Sequence, residues 1–147
     1  MTDVPPPSLA LSFLAELFRA DQLVRSRLGR AMPRGMELSH FLVLDYLAQS
    51  DHEQNPADLA KALDLTRGAM TNTLGKLEQA GHVHIFQDWN DARRKLVSIS
   101  PAGQRARNVT FEAIEPILDA AIAAIGEEEV EAALPVLRGM SRRFGRD

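Results

Sequence analysis

Apolar residues recur along most of the chain at the three- and four-residue steps of an amphipathic helix, and over one short stretch they alternate as in a strand. Behind a Pro5-Pro6-Pro7 run, Ser8 is placed to cap a helix in which Leu14, Leu17, Phe18, Val24 and Leu28 keep helical spacing, and Gly29, Pro33 and Gly35 are expected to break it. A second helix is predicted in "MELSHFLVLDYLAQ". Asn55-Pro56 is a start signal, because Asn caps and Pro suits the first helical position; the short helix it opens turns Leu59, Ala60 and Leu63 inward. Thr66 caps the next helix, whose inner stripe is Met70, Leu74 and Leu77. Only Asp64-Leu65 separates these two helices. The pair must therefore cross tightly, as a helix-turn-helix with its second member offered outward.

Gly81 ends that outward helix. On either side of "QDWNDARRK", which reads as a loop, "VHIF" and "LVSIS" alternate as a two-stranded hairpin, with Val83 and Ile85 facing Val97 and Ile99. A helix-turn-helix followed by a charged hairpin is a winged helix. Ser100-Pro101 starts a long helix running to about Ile125, kinked or strained at Pro116. After Gly126, "EEEVEAALPVLRGMSRRF" makes a last helix with Glu at its positive end and Arg at its negative end, bent at Pro135. The expected fold class is mainly α with a small β-hairpin wing.

One helix face is unusual. In "LTRGAMTNTLGKLEQAGHV", the positions off the apolar stripe are Arg67, Gly68, Thr71, Asn72, Gly75 and Lys76, in place of the Glu and Lys mixture that solvates a surface helix. A helix entering a DNA major groove needs small residues for close approach and side chains that reach base edges or phosphates. Gly68 and Gly75 allow approach, Thr71, Asn72 and Thr73 offer hydrogen bonds, and Arg67 and Lys76 bracket them. Two glycines on one face each cost about 1 kcal/mol of helix stability relative to Ala, which argues against reading them as chance defects.

The formal net charge of −3 over 147 residues speaks against a nucleic-acid partner until the charges are located. Residues 112–132 hold seven acids and no Lys or Arg; residues 19–34 hold five Arg against Asp21, and 66–100 hold Arg67, Lys76, Arg93, Arg94 and Lys95 against three acids. Local field decides docking, so this segregation admits a phosphate backbone. The absence of Cys excludes disulfides, thiolate metal sites and a thiol switch. His82 and His84 would share one strand face, a metal pair in form that is more often a solvated edge. No apolar run is long enough for a bilayer, and "MTDVPPPSLA" lacks the features of a signal peptide, so the expected location is cytoplasmic.

In order and in residues, the chain resembles the MarR family of bacterial transcription regulators. "DARRKLVSIS" is similar to the family's wing signature, and "GMELSHFLVLDYL", "LAKALDLTRGAMTNTLGKLEQAGHV" and "SPAGQRAR" fit neighbouring blocks in register. The resemblance implies homodimers on pseudo-palindromic double-stranded DNA operators, acting as ligand-responsive repressors released by small aromatic or anionic effectors. It also implies a wing-tip role for Arg93 in the minor groove, where A·T-rich DNA attracts a cation. Asn72 departs from the Arg that many members carry, which favours adenine, whose N6/N7 edge Asn grips bidentately. Asp91 reads as an internal brace of the wing, since a carboxylate facing phosphate would be repelled. Arg94 and Lys95 read equally as phosphate contacts or as solvated side chains. Trp89, the only Trp, is expected to pack across the base of the wing in preference to stacking on bases.

Three stretches follow from this reading: an N-terminal dimerisation helix (1–35), the winged helix-turn-helix (36–100) and C-terminal dimerisation helices (101–147), intertwined as one domain. The flanking stripes include Phe13, Leu17, Ile114, Ile117, Leu118, Ile122, Leu134, Leu137 and Met140, more than one small winged helix covers, and a second copy can cover them. An effector pocket is expected where the first, second and fifth helices meet, lined by Phe13, Leu17, Met36, His40, Phe41 and Phe111; each of the six also fits ordinary core. No cofactor is implied. An enzyme reading finds no paired carboxylates, Ser/His/Asp set or phosphate loop. The rival reading is a winged-helix protein-interaction module that does not bind DNA, and it would need an acidic or apolar recognition face.

Overall fold

A computed structural model describes residues 4–6 and 8–145. Six helices and one antiparallel hairpin follow in the order α1 (Leu9–Ala31), α2 (Leu38–Gln49), α3 (Pro56–Ala62), α4 (Arg67–Gln79), β1 (Val83–Asp88), β2 (Asp91–Ile99), α5 (Pro101–Ile125) and α6 (Glu127–Phe144). This is the mainly α winged helix-turn-helix that the sequence pattern predicts. Four helix starts carry the expected caps. Backbone N–H groups donate to the side-chain oxygens of Ser8 (from Leu11, 3.2 Å), Asn55 (from Ala57, 2.7 Å), Thr66 (from Ala69, 3.1 Å) and Ser100 (from Gly103, 2.9 Å). Each satisfies a donor that a helix N-terminus leaves open.

Helices α3 and α4 are joined through Leu63–Thr66, with Asp64 in the left-handed region at φ 52° and Leu65 N–H donating to Ala60 O at 2.8 Å. Asp is among the few residues that accept that conformation. The core beneath them joins Val43, Leu44 and Leu47 of α2, Leu59 and Ala60 of α3, Met70, Leu74 and Leu77 of α4, and Val83 and Val97 of the hairpin. A second cluster on the other side of α2 joins Phe41 to Leu28 of α1 and Ile114 of α5. Residue Gln54 pairs through its backbone with Val97 in both directions, at 3.0 and 2.7 Å, and ties the α2–α3 loop to the foot of the wing.

Several details differ from the sequence reading. Gly29 lies inside α1, which runs on to Ala31, so that helix ends only before Met32 and Pro33; Pro116 and Pro135 lie within α5 and α6, where the sequence reading places them. Residues 87–95 are mostly strand: β1 and β2 extend to a turn at Trp89-Asn90. The register jumps near that turn. Gln87 faces Lys95 while Asp88 faces Asp91, so Ala92, Arg93 and Arg94 stand on β2 without counterparts on β1. Such a bulge bends a strand and re-aims its side chains. Arg93 is therefore carried by a strand, three residues past the turn that forms the tip. Trp89 does not pack across the base of the wing; at the far end of the hairpin it is 97% exposed, too distant from the core to reach it. Among the described residues no helix is long and apolar enough to cross a membrane.

Two glycines in helices test this packing in opposite senses. A Cβ on Gly103 would stand on the His82 carbonyl oxygen, where α5 crosses the start of the wing, whereas a Cβ on Gly75 would meet open space. Gly103→Ala is expected to destabilise the protein by about 2 kcal/mol, and Gly75→Ala to stabilise it by about 1 kcal/mol. Urea midpoints measure both; equal effects of the same sign would show that the α5–wing contact is not the tight one.

Candidate nucleic-acid interface

Helix α4 buries Met70, Leu74 and Leu77 and turns Arg67, Gly68, Thr71, Asn72, Gly75 and Lys76 outward. Beyond Gly68 and Gly75 there is only open space, so another surface can approach the helix backbone closely. Thr73 is a correction. It stands three residues from Met70 and four from Leu77, on the flank of the apolar stripe, and is only 7% exposed. That placement removes it from the outer face.

The hairpin folds back beside this helix. Arg67, Met70 and Thr71 of α4 share one concavity of ≈ 560 Å³ with Arg93, Arg94 and Lys95 of β2 and with Asn55, Pro56 and Ala57 at the start of α3. Four cationic side chains thus meet from segments 26 or more residues apart, with no acid among the residues that line the concavity. Asp91, its side chain 38% exposed, braces the start of β2. Its Oδ1 accepts the Arg93 backbone N–H at 3.0 Å and lies 3.5 Å from Arg93 Nε, which fixes the strand that carries the cations. The Arg93 side chain is itself 93% exposed.

A second concavity, ≈ 660 Å³, lies under the far end of α4, between α2 and α5. Met36 and His40 line it, as the sequence reading expects. The other four residues of that set lie elsewhere. Phe41 is buried in the second core cluster, one helical step from His40 and so on a different face; Phe111 packs on the same cluster beneath the Arg107 guanidinium, 4.8 Å from the ring centre. Phe13 and Leu17 are half-buried on α1, outside the lining.

In their place the cavity is lined by Arg34, Lys76 and Arg105, with His82 and a single acid, Glu37. Helical spacing finds apolar faces, and these cations come from three separate elements, so nothing in the sequence pattern joins them. His82 precedes β1 and faces this cavity, whereas His84 is exposed on the wing; the two share no strand face. His40 is 6% exposed, and burial holds its pKa below 6.5, a lowering opposed by Glu37 and reinforced by Lys76 and His82. Among the described residues no group of three or more His, Asp or Glu is placed to hold a metal ion.

Residues 34–94 match the model of the MarR family. The transcriptional activatory protein BadR of Rhodopseudomonas palustris is 26% identical over 104 residues, which are 69% of this chain and 59% of that protein. The PcaV transcriptional regulator of Streptomyces coelicolor, solved with its natural ligand, superposes with a TM-score of 0.85 at 16% identity, covering 95% of this chain and 98% of that one. The S. aureus MepR–DNA complex gives a TM-score of 0.74 at 21% identity, covering 95% and 100%. At these identities the two superpositions show a shared fold. Over residues 34–94, which carry the helix-turn-helix and the first part of the wing, the chain is thus similar to the MarR family, and along nearly its whole length it shares the fold of the two solved structures.

Proposed function

We propose that this protein is a sequence-specific DNA-binding transcription regulator, a ligand-responsive repressor that works as a homodimer on a pseudo-palindromic operator. The observation that carries the reading is the basic concavity joining Arg67 and Thr71 of α4 to Arg93, Arg94 and Lys95 of the wing, beside a helix face left open at Gly68 and Gly75. An acidic or apolar face, as an interaction module would require, is what this surface lacks. In this assignment Asn72 reads a base edge, Thr71 and Lys76 flank it, and the cations of the wing take phosphate and minor groove.

A homodimer fits the surface that one chain leaves bare. No residue of α6 is buried, with Leu134, Val136, Leu137 and Phe144 all exposed, and α1 exposes Leu11, Leu14 and Phe18 while burying only Leu28. Two-fold pairing through these helices would set two α4 helices for half-sites one helical turn apart, about 10 bp centre to centre. Selection of bound duplexes from random DNA, with mass measured in solution, tests the reading. A monomer at micromolar concentration, or no preference over bulk duplex, overturns it.

On the selected duplex the helix and the wing are expected to differ. Arg93→Ala should weaken binding to all sequences and lower the slope of log K against log salt by about 1, because one fewer counterion is displaced. Asn72→Ala should relax preference at one base pair by about 1–3 kcal/mol. Equal losses on every sequence for both variants would refute a reading role for Asn72.

The effector reading moves with the cavity. Three cations against one acid suit a small aromatic carboxylate or phenolate, and Lys76 places the recognition helix itself in contact with the bound molecule. PcaV, which shares the fold, was solved with a natural ligand. A ligand here shifts DNA affinity only by its differential affinity for the free and DNA-bound arrangements of α4. A thermal-shift screen of aromatic carboxylates is expected to give hits that release DNA and that Arg105→Ala abolishes. Hits that leave DNA binding untouched would place the effector elsewhere.

The same cavity makes stability depend on pH. With the folded pKa of His40 lowered, the unfolded chain binds the proton more readily, so this stabilisation is complete above pH 6.5 and is lost as pH falls through 6.5 towards the lowered value. Urea midpoints should therefore drop between pH 7.5 and 5, and less so in His40→Gln. A wild-type midpoint that does not move over that range would show that His40 titrates as a solvated imidazole does.

A further inference from the structure

The regulator reading assigns work to every cation of the wing and none to its most conspicuous side chain. Trp89, the only Trp of the chain, is 97% exposed on the two-residue turn between β1 and β2. An indole left in water forgoes the 150–250 Å² of burial that usually accounts for a Trp. Its backbone is nonetheless fixed. Asp88 Oδ1 accepts the Asn90 N–H at 2.9 Å on one side of the turn, and Asp91 Oδ1 accepts the Arg93 N–H at 3.0 Å on the other. Both carboxylates near the tip thereby hold the backbone on either side of Trp89, and the strand that follows the turn carries Arg93, Arg94 and Lys95.

The wing has the reach to bring this residue to DNA. The six residues of β1 span about 20 Å from the body of the domain to the tip. With α4 in the major groove, the adjacent minor groove lies half a helical repeat away, about 17 Å along the duplex. A groove about 6 Å wide admits an indole edge-on. From this geometry we propose that Trp89 is a DNA-contacting residue of the wing, its ring lying against the sugar walls of the minor groove flanking the α4 site. The inference rests on the regulator reading. The contact is apolar and meets no base-specific donor or acceptor, so it adds affinity on all sequences, and it displaces no counterion.

Those two properties separate it from its neighbours. On the duplex selected from random DNA, Trp89→Ala is expected to bind about tenfold more weakly with the salt slope unchanged, whereas Arg93→Ala lowers the slope. Trp89→Phe should recover part of the loss. Thermal midpoints of both variants should match wild type, since nothing packs on the ring. Intrinsic fluorescence reports this one residue: emission should be that of a water-exposed indole in the free protein and should become shielded from acrylamide when the duplex is added. If wild type binds the duplex while acrylamide access and the affinity of Trp89→Ala stay unchanged, the Trp89 contact is overturned and the regulator reading stands. If no duplex is bound, both fall. Shielding that grows with protein concentration in the absence of DNA would instead put Trp89 between copies of the chain and overturn the proposal.

Discussion

Helix α2 is buried along two sides at once, and the rest of the structure is arranged by that constraint. Val43, Leu44 and Leu47 face the core beneath the helix-turn-helix and wing, while Phe41 faces Leu28 of α1 and Ile114 of α5. Truncating one such Leu costs about 2–5 kcal/mol, and here the loss falls on the element common to both halves. The polar positions of α2 serve the same purpose. Asp45 accepts from Arg107 Nε at 2.9 Å and Nη2 at 2.6 Å, and from Gln49 Nε2 at 3.0 Å, a part-buried ion pair that fixes α5 against α2. His40, on the remaining side, borders the cationic cavity. The lining of that cavity and the support beneath α4 therefore share one helix.

Charge in this protein has meaning only by region. The net charge of −3 is the residue of an acidic segment over 112–132 and basic segments at 19–34 and around α4 and the wing. Folding gathers Arg67, Arg93, Arg94 and Lys95 around one concavity that no acid lines, while Asp88 and Asp91 hold the backbone at the wing tip. The apolar surface is likewise unevenly placed. The helix-turn-helix and wing own a closed core, and the exposed apolar side chains gather on α1 and α6.

Most of the architecture was legible in the sequence because it rests on local rules. Ser8, Asn55, Thr66 and Ser100 each satisfy donors within three residues of themselves, and the stripe Met70–Leu74–Leu77 follows from helical period alone. The pairing of Val83 with Ile99 and of Ile85 with Val97 follows from strand alternation. The misjudged details share a different cause. Gly29 does not break α1, because one glycine costs only about 1 kcal/mol in a long helix, and Trp89 reads as packing material because its type is usually buried, while its position on a turn leaves nothing within reach.

The sequence by itself determined the helices, their caps, the tight crossing of α3 and α4, and the identity of the outward face of α4, since each depends on residues a few positions apart. Only the tertiary structure decided which side chains meet across long separations. Thr73, next to Leu74 and three residues from Met70, is covered in the folded protein although its type and spacing leave it free to face out. Arg34, Lys76, His82 and Arg105 came together, and Phe13, Leu17, Phe41 and Phe111 did not, because helix packing angles and the close approach at Gly103 fix which faces oppose one another. Those angles are collective outcomes of the whole core, and no periodicity within a single segment encodes them.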